Sequence, residues 1–185
     1  LNALLHQWRD GHLPIEITGI VSNHDKQRSL AEWYELPYYH FAIEPGKKPR
    51  QEAKILNLFE ETRSELLVLA RYMQILTPHA CETLAGRAIN IHHSFLPGFK
   101  GARPYQQAFQ RGVKLIGATA HYVTTDLDEG PIIEQDVVRV NHSSKPAELE
   151  RLGQDVESTV LARAIRWHAE HRVFENGKRT IILRH

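Results

Sequence analysis

The segment from Ile89 to Pro97 leaves this chain few choices of fold. Apolar residues alternate up to Ile91 and then give way to a polar run and a Pro/Gly loop. This order is typical of a buried strand in an α/β sheet, because such strands deliver side chains to a site at their carboxyl ends. Asn90 and His92 are two positions apart, so both are predicted to point to one face of that strand.

The polar residues near the end of this strand suit chemistry at a carbonyl group. Asn90 offers a neutral N–H donor, and His92 can accept or release a proton near neutral pH. Asp128 lies on an acidic loop between two predicted strands and could complete the set. Taken singly, these residues are more often a strand-end cap, a core histidine and a turn carboxylate. Together they favour attack on a carbonyl carbon with stabilisation of the resulting oxyanion.

Hydrophobic periodicity predicts alternating strands and helices along the chain. Strands are predicted at residues 15–21, 38–43, 66–70, 87–91, 115–123, 132–140 and 180–183. Helices are predicted from Asn2 as N-cap to Gly11 as stop, at residues 29–36, 51–63, 104–111 and 148–168, and from Thr77 onward. This order predicts an α/β, Rossmann-like fold, in which a mostly parallel sheet carries helices on both faces. The apolar run at residues 66–70 should be covered on both faces, and the long strands on either side of Asp128 could be antiparallel.

Composition excludes several classes of protein. At 185 residues the chain fits one domain. Its formal net charge of +1 gives no strong attraction to nucleic acid or to a membrane surface, and it has no run of about 18 apolar residues that could span a bilayer. The single cysteine, Cys81, excludes an internal disulfide and fits a reducing compartment, so we expect a cytoplasmic protein. The glycine-rich motifs that hold nucleotides are absent from the sequence.

Several segments resemble the formyltransferase domain of folate-dependent enzymes, a family that includes glycinamide ribonucleotide formyltransferase and methionyl-tRNA formyltransferase. The residues that carry this resemblance are Asn90-Ile91-His92-His93-Ser94-Phe95-Leu96-Pro97, Gly101, Gly117-Ala118-Thr119-Ala120-His121 and Asp128-Glu129-Gly130-Pro131-Ile132-Ile133. Further matches at residues 20–25, 71–76 and 176–180 extend it over nearly the whole chain. The resemblance is closest to the deformylases of this family, and it implies the formyltransferase fold.

The resemblance also implies an activity, the hydrolysis of 10-formyltetrahydrofolate to tetrahydrofolate and formate, which supplies formate for purine and other one-carbon metabolism. The catalytic residues of the family carry over to Asn90, His92 and Asp128. Its folate pocket carries over to Met73, Gln74, Ile75, Leu76, His121, Val123, Thr124 and Leu127. We expect no permanently bound cofactor and no metal, folate as the small-molecule partner, no nucleic-acid or membrane partner, and assembly into a homo-oligomer.

Two departures from the family pattern bear on the formyl acceptor. Gln74 stands where glycinamide-type relatives carry Arg, and His93 stands where they carry Pro. Both departures argue against a phosphorylated amine as the acceptor and favour water. Three alternatives stay open: formyl transfer to an amine, a folate-binding module without catalysis, and a metal-dependent hydrolase built on His92, His93, His121 and Asp128.

Residues 1–185 are expected to form a formyltransferase-type catalytic domain alone. The chain begins with a predicted helix, whereas an α/β domain usually opens with a strand. The deformylases of the family usually carry an N-terminal ACT domain and a first catalytic-domain strand. We therefore expect both of these segments to be missing from residues 1–185.

Overall fold

The computed structural model describes residues 1–43, 46, 48–98 and 104–183, and Gly101 of the family motif lies outside these residues. The helices are α1 (Asn2–Arg9), α2 (Arg28–Trp33), α3 (Lys48–Glu61), α4 (Pro78–Thr83), α5 (Pro104–Arg111) and α6 (Pro146–Ala169), with a 3₁₀ turn at Asp25–Gln27. The strands are β1 (Ile20–Ser22), β2 (Tyr38–His40), β3 (Leu67–Leu69), β4 (Ala88–His92), β5 (Leu115–Tyr122), β6 (Ile132–Arg139), β7 (Val173–Asn176) and β8 (Arg179–Ile182). Within these described ranges, no helix combines the length and the apolar character of a membrane span.

The strands form one four-stranded sheet and two separate pairs. The main sheet has the order β3-β4-β5-β6, with β3 and β4 parallel and the other neighbours antiparallel. β1 and β2 form a parallel pair, and β7 and β8 form an antiparallel hairpin. The predicted α/β fold is confirmed. Each parallel pair is connected by a segment that contains a helix, and the long strands β5 and β6, which a loop connects, are antiparallel. β4 and β5 are antiparallel although α5 connects them.

Helices cover both faces of the main sheet, as the packing around β4 shows. Ile89 and Ile91 pack against α6 in one buried cluster. Ala88 packs on the opposite side against Phe59 of α3 and Leu84, which ends α4. Full burial of an isoleucine side chain contributes about 1.5–3 kcal/mol, so the orientation of this strand is strongly fixed. Asn90 and His92 therefore lie on the same face of β4 as Ala88, nearer to the carboxyl end of the strand.

Helix ends follow most of the sequence signals. Thr77 caps α4 as predicted, because its hydroxyl oxygen accepts a hydrogen bond from Ala80 N at 3.3 Å. Gly11 ends the first helical segment with a φ of +74°, a conformation that glycine adopts without strain. The predicted cap at Asn2 is wrong: Leu1 occupies the N-cap position without a side-chain hydrogen bond, and Asn2 is the first helical residue.

Two predicted strands are shorter and less covered than expected. The strand predicted at residues 15–21 is regular only over β1, and the apolar run at residues 66–70 is regular only over β3. Leu67 and Val68 are half-buried, so the expectation that this run is covered on both faces is wrong. The sequence also gave no indication of β7, whose residues after Val173 are exposed and lack a buried apolar period.

A groove of about 1870 Å³ between β1 and β3 explains why Leu67 and Val68 are only half-buried. Ile17 and Val21 line it on the β1 side, and Leu66 and Val68 line it on the β3 side. Within the described residues, β1 is paired only with β2, and β3 is paired only with β4. The free edges of β1 and β3 therefore border an apolar space instead of sharing hydrogen bonds.

We expect the fold to become more stable when a further strand fills this groove. An extended apolar segment would satisfy the free edges of β1 and β3 and cover the side chains that line the groove. Extending the chain before Leu1 by the preceding residues of a longer relative should raise the melting temperature by roughly 5 °C or more. The control is the same extension with charged residues at alternate positions. Equal melting temperatures for all three chains would contradict the expectation.

Candidate active site

β4 places the predicted catalytic residues on a strand that is paired on both sides. Asn90 lies opposite Leu69 of β3 and opposite His121 of β5. His92 lies opposite Thr119 of β5, at the last position of β4. Because the sheet holds β4 on two edges, the positions of Asn90 and His92 are fixed by regular structure rather than by a loop.

His92 is held at one ring nitrogen and open at the other. Its side chain is 4% exposed, and Nδ1 lies 3.3 Å from Oδ2 of Asp128. A carboxylate oxygen can only accept, so Nδ1 carries the hydrogen in this contact. Nε2 is buried and has no hydrogen-bond partner among the residues that the structure describes. Buried polar atoms without a partner are rare, and this one marks Nε2 as the atom that can exchange a proton with a bound molecule.

His121 connects Asn90 to Asp128. Its Nδ1 lies 2.8 Å from the carbonyl oxygen of Tyr122, which can only accept, so Nδ1 carries a hydrogen. Its Nε2 lies 3.2 Å from Nδ2 of Asn90 and 3.7 Å from Oδ1 of Asp128. In the neutral ring Nε2 accepts one N–H of the Asn90 amide, whereas a hydrogen on Nε2 is donated to Oδ1 of Asp128. In both states the Asn90 amide keeps an N–H available. His121, which the sequence assigns to the folate pocket, therefore orients the Asn90 side chain.

Asp128 lies between the two imidazole rings. Its contacts with His121 and His92 hold the pKa of its carboxyl well below the ordinary value of 3.8, and they outweigh the opposing effect of burial. The carboxylate is therefore ionised at neutral pH. The backbone of Asp128 has a φ of +56°, a left-handed conformation that aspartate tolerates better than most residues. Conformations of this kind cluster at functional sites, where the surrounding structure holds them in place.

Gly130 allows the Asp128 loop to return to β5. A Cβ atom at this position would lie 1.8 Å from the carbonyl oxygen of Tyr122 and 3.2 Å from Nδ1 of His121. The first distance is a clash with backbone that cannot move aside, so the close approach requires glycine. The sequence places Gly130 in the Asp-Glu-Gly-Pro motif but gives it no role, because a local pattern does not show which backbone the loop approaches.

A buried hydroxyl group fixes the loop that follows His92. Thr119 donates to the carbonyl oxygen of Ser94 at 2.9 Å and accepts from the backbone N–H of Leu96 at 3.0 Å. Gln135 of β6 donates to the same hydroxyl oxygen at 2.9 Å. Thr119 pairs with His92 on one side and with Gln135 on the other, so neighbouring strands support the loop together. The sequence places Thr119 in the Gly-Ala-Thr-Ala-His motif without a role, and it does not identify Gln135.

His93 lies beside the site as a neutral ring. Its ring centroid is 5.2 Å from that of His92 and 6.1 Å from that of Tyr105. Burial lowers the pKa of His93, and the neighbouring His92 and Arg71 lower it further. His93 therefore offers no positive charge for a phosphate group at neutral pH.

The first segment predicted to hold folate follows β3 and exposes apolar side chains. Met73 is 66% exposed and Ile75 is 59% exposed. Gln74 is exposed and Leu76 is half-buried. The segment begins next to the polar cluster, because the last residue of β3 pairs with Asn90. Its position agrees with a binding surface adjacent to the catalytic residues, and its role stays a prediction.

The second segment predicted to hold folate follows β5. Leu127 is 52% exposed, and Thr124 donates a hydrogen bond to the carbonyl oxygen of Asp126 at 3.1 Å. Val123 packs in the core cluster that contains Phe59. Thr124 thus supports the turn of the loop and Val123 anchors its start, which leaves Leu127 as the apolar side chain of this segment that is open to a ligand.

Two further features bear on the alternatives that the sequence left open. The described residues contain no group of three or more His, Cys, Asp or Glu side chains arranged to hold a metal ion. The groove between β1 and β3 borders Met73, Gln74 and His93, but its lining does not include the three predicted catalytic residues. We therefore treat the groove as a gap in the sheet and place the candidate site at the end of β4.

Comparisons with known proteins agree with this fold. A family model described as formyl transferase matches residues 1–165. The chain belongs to the formyl transferase family, and the membership predicted from the sequence motifs is confirmed.

The relatives include proteins named formyltetrahydrofolate deformylase and a protein named glycinamide ribonucleotide transformylase. A formyltetrahydrofolate deformylase from Corynebacterium sp. (strain P-1) is 54% identical over 184 residues, which are 100% of this chain and 64% of that protein. The crystal structure of formyltetrahydrofolate deformylase from Burkholderia mallei ATCC 23344 is 58% identical, with a TM-score of 0.94 over 98% of this chain and 65% of that one. Glycinamide ribonucleotide transformylase 1 from Symbiobacterium toebii is 30% identical, with a TM-score of 0.91 over 98% of this chain and 87% of that one. The chain thus spans just under two thirds of the deformylases that it matches.

The low pKa of Asp128 predicts how stability changes with pH. A carboxyl whose folded-state pKa is depressed stabilises the fold above its unfolded pKa, here 3.8, and this contribution is lost as the pH falls through the folded-state pKa. The difference in free energy of unfolding between the wild type and Asp128→Asn should therefore be larger at about pH 5 than at about pH 3. Denaturant titrations measure it, with the exposed Asp126→Asn as control. An equal difference at both pH values would contradict the assignment.

Proposed function

We propose that the protein hydrolyses 10-formyltetrahydrofolate to tetrahydrofolate and formate. The proposal is carried by His92, whose Nδ1 faces an ionised Asp128 while its buried Nε2 has no partner among the described residues. An imidazole held in this way can exchange a proton with a molecule bound at the end of β4. The identities of 54% and 58% to proteins named formyltetrahydrofolate deformylase support this substrate. The folate is consumed as a substrate, and the formate released would enter one-carbon metabolism.

The reaction begins when water attacks the formyl carbon attached to N10. The ionised Asp128 carboxylate, which lies beside His92 at the end of β4, orients this water and takes its proton as the C–O bond forms. At that stage the attacking oxygen is acidic enough for a weakly basic carboxylate to accept its proton. A bond forms between the water oxygen and the formyl carbon, and an electron pair of the carbonyl group moves to the formyl oxygen. The product of this step is a tetrahedral intermediate with a negative oxygen.

Asn90 stabilises that negative oxygen. One N–H of its amide is taken by Nε2 of His121, at 3.2 Å, and the second can donate to the oxyanion. The hydrogen bond to His121 also fixes the direction of the amide before substrate binds, so little reorganisation is needed during the reaction. A single donor of this kind contributes about 10²–10³ in rate.

His92 completes the reaction as general acid. The bond between the formyl carbon and N10 breaks, and its electron pair goes to N10. The ring acts in the form that carries a hydrogen on both nitrogens: Nε2 delivers the proton that N10 takes up, and Nδ1 keeps its contact with Asp128. The formic acid released ionises to formate, and proton exchange with solvent restores the Asp128 carboxylate and the hydrogen on Nε2. General acid catalysis of this kind contributes about 10²–10⁴ in rate. Formate and tetrahydrofolate then leave.

The folate ring system is proposed to bind against the segment at residues 73–76 and the loop at residues 123–127. Met73, Ile75 and Leu127 present apolar side chains that are each more than half exposed, and a flat heteroaromatic ring would cover them. Gln74 can hydrogen-bond to the polar edge of such a ring through its amide.

Water is proposed as the acceptor in preference to a phosphorylated amine. Gln74 carries no charge where glycinamide-type relatives carry Arg, so this position does not attract a phosphate. The lowered pKa of His93 means that it does not replace that charge at neutral pH. The identity of 30% to a glycinamide ribonucleotide transformylase is also well below the 54% to a deformylase. Formyl transfer to an amine is the second candidate.

Replacing Asp128 by Asn should lower turnover by at least about 10²-fold, because the carboxylate that accepts the proton is lost. Asparagine also tolerates the left-handed backbone at this position, so the loop should keep its shape and folate should still bind. Initial rates of tetrahydrofolate formation measure the effect, with Asp155→Asn on α6, whose side chain is 74% exposed, as the control. Near-normal turnover of the Asp128 variant would rule out its catalytic role.

The acceptor is tested by product analysis. With 10-formyltetrahydrofolate alone, and equally with glycinamide ribonucleotide added in excess, formate should account for the formyl groups consumed. The physical reason is that water needs no charged subsite, whereas a phosphorylated amine does. Stoichiometric formylation of the amine would overturn the hydrolase in favour of the transferase.

A further inference from the structure

Glu52 of α3 is a buried carboxylate that the proposed mechanism does not use. The residue is 3% exposed, and its carboxylate receives the backbone N–H of Thr77 at 3.2 Å to each oxygen. It also receives the hydroxyl of Thr77 at 2.5 Å. Lys48 lies 3.5 Å away on the preceding helical turn. Burying a carboxylate is costly unless its charge is compensated, and here much of the compensation comes from a single residue, Thr77.

Thr77 is the last residue of the segment that runs from β3 to α4. Its hydroxyl oxygen accepts from Ala80 N at 3.3 Å, so one side chain caps α4 and contacts Glu52 at the same time. Glu52 therefore fixes the point at which the segment at residues 70–76 enters α4, although Glu52 lies on a different helix.

The same segment is fixed at its other end by the main sheet. Leu69, the last residue of β3, pairs with Asn90 of the catalytic strand. Between these two ends the segment has no helix or strand, and Arg71 has a left-handed backbone with a φ of +55°. Met73 and Ile75 are mostly exposed there and gain little from packing. The two end contacts therefore determine how far the exposed side chains lie from the catalytic strand.

Glu52 also acts on a residue within the segment. Burial raises the pKa of Tyr72 to about 12, and the negative charge of Glu52 contributes to that rise. The Glu52 carboxylate is therefore close enough to influence the body of the segment as well as its end.

We propose that Glu52 is a positioning residue for folate binding. Through Thr77 it sets the distance between Asn90 and the segment at residues 73–76. At this distance a flat heteroaromatic ring can rest on Met73 and Ile75 while its N10 substituent reaches the end of β4. This inference rests on the proposed function. Glu52 is expected to affect substrate affinity and not the chemical step, because it contacts neither the proposed catalytic residues nor the substrate.

The test uses Glu52→Gln, which keeps the size of the side chain but turns an N–H₂ group towards one of the two Thr77 donors. Glu60→Gln is the matched control, since Glu60 lies on the same helix, with a side chain 65% exposed and 3.6 Å from Arg87. A second pair is Thr77→Val, which removes the hydroxyl, and Thr77→Ser, which keeps it. The measurements are kcat and KM for 10-formyltetrahydrofolate, direct binding of tetrahydrofolate by calorimetry, and the melting temperature.

Glu52→Gln and Thr77→Val should each raise KM and weaken tetrahydrofolate binding about tenfold or more, the order expected for loss of a charge-assisted hydrogen bond. Their kcat should stay within about threefold of the wild type, because the catalytic residues are untouched. Glu60→Gln and Thr77→Ser should bind like the wild type.

Two other results distinguish a failure of the Glu52 inference from a failure of the proposed function. If Glu52→Gln lowers the melting temperature but leaves KM and tetrahydrofolate binding unchanged, Glu52 has a structural role only and the positioning inference is overturned. If the wild type itself neither binds tetrahydrofolate nor releases formate, the proposed function is overturned, and the inference that rests on it falls with it.

Discussion

Side chains that alternate along β4 determine where everything else in the site can lie. Ile89 and Ile91 face α6, and burial of each contributes about 1.5–3 kcal/mol. A shift of one residue would remove both isoleucines from their packing against α6 and turn Asn90 and His92 towards that helix. The hydrophobic core therefore holds the two polar residues in place, and the chemistry of the site does not depend on the stiffness of a loop.

The sequence predicted those parts of the molecule that a local pattern determines. The period of two in β4 placed Asn90 and His92 on one face, and the long apolar period of α6 predicted that helix to within two residues at its start and one at its end. The contact of His121 with Asn90 and the close approach of Gly130 to β5 arise from the register of β5 against β4. This register cannot be deduced from the residue pattern of either strand. The sequence therefore identified His121 and Gly130 as members of motifs but did not show their physical roles.

One carboxylate organises both halves of the proposed mechanism. Asp128 presents Oδ2 to His92, the proton carrier, and Oδ1 to His121, which orients the oxyanion donor. A displacement of this side chain would therefore disturb proton transfer and oxyanion stabilisation together. The left-handed backbone and the nearby glycine show that the loop geometry is shaped around this single contact point.

In the part of the chain that the structure describes, β1 and β2 are not hydrogen-bonded to the main sheet, and this affects which parts of the molecule unfold locally. Within the described residues the two sheets share no ladder, so fluctuations that separate β1 from β2 break no hydrogen bond of β4. Amide exchange in the short β1–β2 pair should proceed through a low-energy local opening, while the long β5–β6 ladder exchanges only by unfolding of the larger unit. The molecule is thus divided into cooperative units of unequal stability, and the strands that carry Asn90, His92 and His121 belong to the more stable one.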